Sequence, residues 1–165
     1  MENDIAVSVR HHLTATGKVA VPALLQADVD QFHYAPARRA GDFVYLSGVV
    51  ACNGAAAPMD AESFKDELRR VFILIEQLLG ACQAELEDVV ELQMFHVLDS
   101  DRPALDKAAQ LAAIAAVRDE FFPAPYPACV ELAVAELNPE GGLVEIKATA
   151  YAPLARAQDG FSSMS

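Results

Sequence analysis

Glu131 and Glu145 are the side chains in this sequence best suited to acid–base chemistry. Each lies in a run that reads as a strand, 128–134 and 143–151, the second with clean alternation of Val144, Ile146, Ala148 and Ala150 against Glu145, Lys147, Thr149 and Tyr151. The short Asn138-Pro139-Glu140-Gly141-Gly142 connection predicts that these two strands pair antiparallel. On neighbouring strands the two-residue alternation places both carboxylates on one face. Two carboxylates sharing a partly buried site raise one pKa and can serve as general acid and base, or orient a water. The other reading is a pair of structural glutamates bonded to backbone or to an arginine across an interface. Cys129 stands two residues before Glu131 and points the same way. Acidic neighbours raise a thiol's pKa, so Cys129 reads as a cleft-lining or packing residue rather than a nucleophile.

Other chemistries find little support. His96 shares a strand face with Met94 and Leu98 and reads as a buried, hydrogen-bonded histidine. His11 and His12 are adjacent, but no Asp, Glu or His at helical spacing completes a metal set. Neither GxGxxG nor GxxxxGK[ST] occurs, so no nucleotide cofactor is expected, and the reading is of a protein with no metal and no cofactor. Cys52, Cys82 and Cys129 are odd in number and far apart, which reads as reduced thiols rather than a disulfide framework.

The elements that must position these groups follow from periodicity. Residues 43–50 read as one strand, with Val44, Leu46 and Val50 on one face and Phe43, Tyr45, Ser47 and Val49 on the other. Residues 61–82 carry Phe64, Leu68, Val71, Phe72, Ile75, Leu78, Leu79 and Cys82 at spacings of three and four, the pattern of an amphipathic helix that Asp60 or Ser63 can cap. A strand over 89–98 and a helix over 103–121 come next, and Pro123 and Pro125 stand beyond the helix. Residues 1–30 lack sustained periodicity and read as an irregular extension, 31–155 as the folded domain and 156–165 as a tail.

Two helices cover only one face of such a sheet. The other face, expected to carry Tyr45, Ser47, Gln93, Phe95, Cys129, Glu131 and Glu145, is too apolar to stay exposed and too polar for a monomer core. The expected cover is further copies of the chain, with small-molecule clefts between subunits.

At 165 residues the chain is one domain's length, and 53% hydrophobic residues supply a sizeable core. A net charge of −12 with no Lys/Arg cluster argues against nucleic-acid and acidic-membrane partners. No apolar run reaches the roughly 18–20 residues of a spanning helix, and the acidic start is unlike a secretory signal, so the expected location is the cytoplasm.

The segment Ala40-Gly41-Asp42-Phe43-Val44-Tyr45-Leu46-Ser47-Gly48 resembles the signature strand of the YjgF/Rid family, the reactive intermediate deaminases. The likeness continues through 86–90, Pro127-Ala128-Cys129-Val130-Glu131-Leu132 and 144–150, and spans about residues 32–152 in family order. It implies an α+β, chorismate-mutase-like fold: a mixed sheet with two helices on one face, assembled as a homotrimeric barrel with clefts between subunits. The implied activity is hydrolysis of enamines and imines to a carbonyl compound and ammonia, without metal or organic cofactor. Carried across, Glu145 matches the water-positioning glutamate, Tyr34 the cleft tyrosine, Ser47 the cleft serine and Cys129 the cleft cysteine. Tyr45, Gly48, Pro127 and Glu131 are placed in the same cleft.

One departure bears on substrate. The family's carboxylate-gripping arginine lies two residues before the cysteine, where this chain has Pro127. Proline cannot replace a planar bidentate fork, so an anionic substrate would meet the glutamates without a matching cation. Arg38, Arg39, Arg102 or Arg118 could reach across the subunit interface and substitute for it. Val49 and Gln83 are smaller departures, standing where relatives carry glutamine and a helix-ending glycine. The expected function is hydrolysis of a small neutral or cationic imine, enamine or related compound. The alternative is a non-catalytic trimer that binds a metabolite or regulates a partner.

Overall fold

The computed structural model describes residues 8–52, 59–98, 100, 102 and 105–154, and it corrects the expected irregular N-terminal extension at once. Two strands, β1 (Val9–Thr14) and β2 (Gly17–Pro22), form a hairpin with Val9 opposite Pro22 and Thr14 opposite Gly17. The hairpin escapes a periodicity test because β1 is an edge strand exposed along most of its length, while the buried residues of β2, Ala20 and Val21, are consecutive. A short helix, α1 (Gln26–Phe32), ends on His33 in the left-handed region at φ 55°. It is a third helix beyond the two expected.

The chain then makes β3 (Ala37–Ala40), β4 (Phe43–Leu46) and β5 (Val49–Ala51). Helix α2 (Ala61–Ala81) starts where expected, with the Asp60 side chain accepting from the Ser63 amide at 2.8 Å. After it come β6 (Val89–His96), α3 (Lys107–Phe121), β7 (Ala128–Ala133) and β8 (Val144–Tyr151). Helix α3 begins later than the expected residue 103, because Asp106 accepts from the Ala109 amide and fixes the first turn there; residues 103 and 104 lie outside the described residues.

The described strands join one mixed sheet in the order β1-β2-β3-β4-β8-β6-β7, with β5 also paired to β8. The expected antiparallel pair of β7 and β8 does not form. Strand β6 lies between them, antiparallel to β8 and parallel to β7. A parallel pair needs a long crossover, and α3 supplies it between β6 and β7.

The sheet's inward row, including Leu92, Met94, Val144, Ile146 and Ala148, buries against the α2 stripe and against Ile114 and Val117 of α3. Each large side chain taken wholly out of water contributes roughly 1.5–3 kcal/mol before the entropy of ordering it is subtracted. Phe72 stacks on Phe121 with ring centroids 5.1 Å apart, and Arg69 bridges to Glu120 at 2.7 Å, which joins α2 to α3.

Candidate active site

The expected strand over 43–50 is broken at Ser47-Gly48, and that break shapes the candidate site. In β4, Val44 pairs with Ala150 and Tyr45 with Thr149; in β5, Val49 pairs with Ile146 and Val50 with Glu145. The register slips by one residue between the two pairings, a bulge that reverses the alternation. Val50 therefore shares the face of Glu145, and Val49 turns towards the helices, opposite to the faces expected for them.

Gly48, within the bulge, lies directly against the Glu145 side chain, and a Cβ there would overlap the carboxylate. Ser47 fixes the same corner from the other side: its hydroxyl donates to the Ala35 carbonyl at 2.7 Å, and its amide donates to Pro36 O at 3.0 Å. The segment so held begins with Tyr34, half-buried after the α1 turn. Burial raises the Tyr34 pKa, and the Asp28 carboxylate adds to the rise. Glu145, Ser47, Gly48 and the Tyr34 segment are thus tied to one corner of the sheet. Tyr45 lies on the Glu145 face further along, stacked with Phe43 at 6.2 Å and cross-strand from Arg38.

Glu131 and Cys129 are elsewhere. Because β7 pairs in parallel with β6, Glu131 is level with Met94 and Cys129 with Leu92, both on the helix side of the sheet. Glu145 is level with Phe95, on the opposite side. The expected same-face pair of carboxylates is therefore not formed within one chain. Glu131 instead accepts from Arg118 Nη1 of α3 at 2.6 Å, and its second oxygen is 3.4 Å from His96 Nε2.

His96 is buried as expected, yet neither ring nitrogen makes a well-formed hydrogen bond among the described residues. Desolvation lowers its pKa, against the opposing pull of Glu131. Cys129 is exposed at the edge; its thiol pKa is raised, first by partial burial and then by Glu131. Cys52 and Cys82 are buried free thiols.

Pro127, at the start of β7, lines a groove of about 870 Å³ together with Phe122, Pro125, Glu76, Glu85 and Glu87. Among the described residues that line it none is basic. Nor do any three of the described His, Cys, Asp and Glu residues converge as a metal site.

The family model described as Endoribonuclease L-PSP matches residues 26–152. The chain belongs to this family, the YjgF/Rid proteins. Among its relatives is a 2-iminobutanoate/2-iminopropanoate deaminase from Dermatophagoides farinae, 32% identical over 114 residues that cover 69% of this chain and 81% of the relative. The crystal structure of RidA from the Antarctic bacterium Psychrobacter sp. is similar at 28% identity and a TM-score of 0.57, over 72% of this chain and 87% of that one. The protein YjgH matches at 27% identity and a TM-score of 0.63, over 85% and 96%. The YjgF/Rid match begins within α1, so the β1–β2 hairpin lies before it.

Glu145, Ser47, Gly48 and the Tyr34 segment, grouped in one cleft by the sequence reading, do lie together at this corner, whereas that reading missed Arg118 and His96 as partners of Glu131. The available signal was the strand–helix–strand order of 89–133, which favours a parallel neighbour for β7 and so puts Glu131 beside α3.

Proposed function

We propose that this YjgF/Rid protein hydrolyses a small neutral or cationic imine or enamine, in clefts formed between three copies of the chain. Water adds across C=N to give a carbinolamine, which collapses to the carbonyl compound and releases ammonia; an enamine first tautomerises to the imine. Glu145 is the base that orients the water. Ser47, Gly48 and Tyr34 shape the pocket around it and Tyr45 lies on the same face, while Pro127, Cys129 and Glu131, which the chain carries away from Glu145, complete the walls from a neighbouring copy.

The observation that carries this reading is the seat of the Glu145 carboxylate against Gly48, a position only a residue without Cβ leaves open. The named activity of the 32%-identical relative agrees in reaction type. The substrate class follows from charge. The groove beside Pro127 is lined by Glu76, Glu85 and Glu87, and the guanidinium nearest Cys129 is already paired with Glu131. Arg39 is buried and spends its donors on carbonyls, so it does not replace the missing fork.

Ammonia release from a panel of small imines tests the reading. Glu145→Gln is expected to lower turnover by about 10²–10⁴, the range for a positioned general base, with assembly mass unchanged. Cys129→Ser is expected to matter far less. Imino acids generated from 2-aminoacrylate are expected to be poor substrates, because a missing charge-assisted contact costs about 2–5 kcal/mol, or roughly thirty- to several-thousand-fold. Binding of panel compounds without any turnover would favour the non-catalytic trimer, and wild-type rates in Glu145→Gln would move the chemistry elsewhere.

A further inference from the structure

The helix side of the β7 edge holds a compact polar cluster that the water-adding chemistry does not use. Arg118 leaves the last turn of α3 and donates Nη1 to Glu131 Oε1 at 2.6 Å; its Nε and Nη2 face Asp119 Oδ1 at 3.4 and 3.5 Å. Cys129 Sγ lies 3.9 Å from the same Glu131 oxygen, and His96 Nε2 lies 3.4 Å from the other. His96 is 2% exposed, so a buried ring whose Nε2 makes no well-formed hydrogen bond among the described residues faces the Glu131 carboxylate. The Arg118 and Glu131 side chains keep 26% and 35% of their exposure, so a ligand can reach both.

The charges decide what such a ligand can be. One guanidinium faces two carboxylates, and the desolvated imidazole beside them is held towards its neutral form. An incoming carboxylate meets a fork whose best donor is taken, in a field that is net negative. A neutral or cationic group meets acceptors. Without the Glu131 charge, Arg118 would present an open fork beside Cys129, with Asp119 its remaining ion-pair partner among the described residues, and Asp119 is 60% exposed and screened by water.

We infer that Glu131 is a specificity-determining residue: as resident counter-anion of Arg118 it keeps carboxylate-bearing ligands out of the Cys129 end of the site. This deepens the reading given above and rests on it for the identity of the site, but it concerns binding and not turnover.

Pyruvate is a suitable probe, since it is a stable monocarboxylate with the carbonyl that hydrolysis of an imino acid would leave. Titration calorimetry on the full chain compares wild type, Glu131→Gln, Arg118→Gln and the double variant. Glu131→Gln is expected to bind pyruvate at least tenfold more tightly than wild type, and the double variant to return to the wild-type value. If circular dichroism shows Glu131→Gln to be misfolded, Glu131→Ser carries the same expectation. Equal affinity of a folded Glu131 variant and wild type overturns the inference. So does tightening that survives in the double variant, which would place the anion on another cation such as Arg38 or Lys147. Tightened pyruvate binding in a protein that releases no ammonia from any imine would sink the hydrolase reading and leave the role of Glu131 standing. Imine turnover without tightening would do the reverse.

Discussion

Gly48 and Glu145 are a matched pair, and the pair can be separated by one methyl group. A Cβ at Gly48 would meet the carboxylate, Cδ and Cγ of Glu145, the far part of a flexible side chain, so the backbone need not move. Gly48→Ala is therefore expected to keep its melting temperature within a few degrees, a change of about 1 kcal/mol or less, while turnover falls at least tenfold as Glu145 swings away. A melting curve beside an ammonia-release assay checks both halves; unchanged turnover would show that the seat does not matter. His96 gives a second residue-scale expectation. Its folded pKa lies below the ordinary 6.5, so the unfolded chain takes up a proton more readily than the native one. Its contribution to stability is full above about pH 6.5 and is lost as pH falls through the depressed native value. Urea midpoints measured down this range are expected to fall, and more steeply than in His96→Gln; identical slopes would refute the assignment. At this scale the sequence was a good guide to residue type and a poor guide to neighbourhood. Alternation set the face of Glu145 within its own strand correctly, since Val144 and Ile146 are buried on either side of it. It could not say which strand lies next door, and that is why Glu131 was placed on the wrong face.

Elements were legible where their burial was periodic. Helix α2 has an uninterrupted stripe and a capping aspartate, and it was read within a residue of its ends. The Ser47-Gly48 bulge left no periodic trace, because a one-residue insertion resembles ordinary alternation over so short a run. The β1–β2 hairpin was missed because an edge strand needs no apolar face. It is nonetheless fastened: β2 pairs with β3 from Gly17 to Ala20, and a Cβ at Gly17 would overlap the Arg39 carbonyl. Arg39 also ties elements together. It is 2% exposed and donates to the carbonyls of Cys82, Gln83, Gly41 and Ala152, joining the end of α2 to the β3–β4 turn and the end of β8. Arg39→Met keeps much of the volume but strands these acceptors. It is expected to cost about 3 kcal/mol or more, seen as a lower urea midpoint at constant m-value. A shift below about 1 kcal/mol would mean that water replaces the guanidinium.

For the whole molecule, the face away from α2 and α3 is unfinished as a monomer surface. Phe43, Tyr45 and Tyr151 are 40, 44 and 43% exposed there and touch one another, and Val130 and Leu132 of the edge strand are 43 and 51% exposed. Such a patch marks an interaction surface. Light scattering at micromolar concentration is expected to give about three times the chain mass of 17.7 kDa, and a stable monomer would remove the proposed clefts along with the trimer. The order of strands has a consequence for how the chain is made. Strand β8 is the last of the described strands along the chain, yet it lies in the middle of the sheet, with β4 and β5 on one side and β6 on the other. Until residues 144–151 clear the ribosome, β1–β4 and β6–β7 are two separate ribbons, β5 lacks its strand partner, and Glu145 itself has not arrived. A nascent chain stalled before this point should be open to protease and a client for chaperones, and emergence of β8 should close the sheet and seat Glu145 against Gly48 in one step.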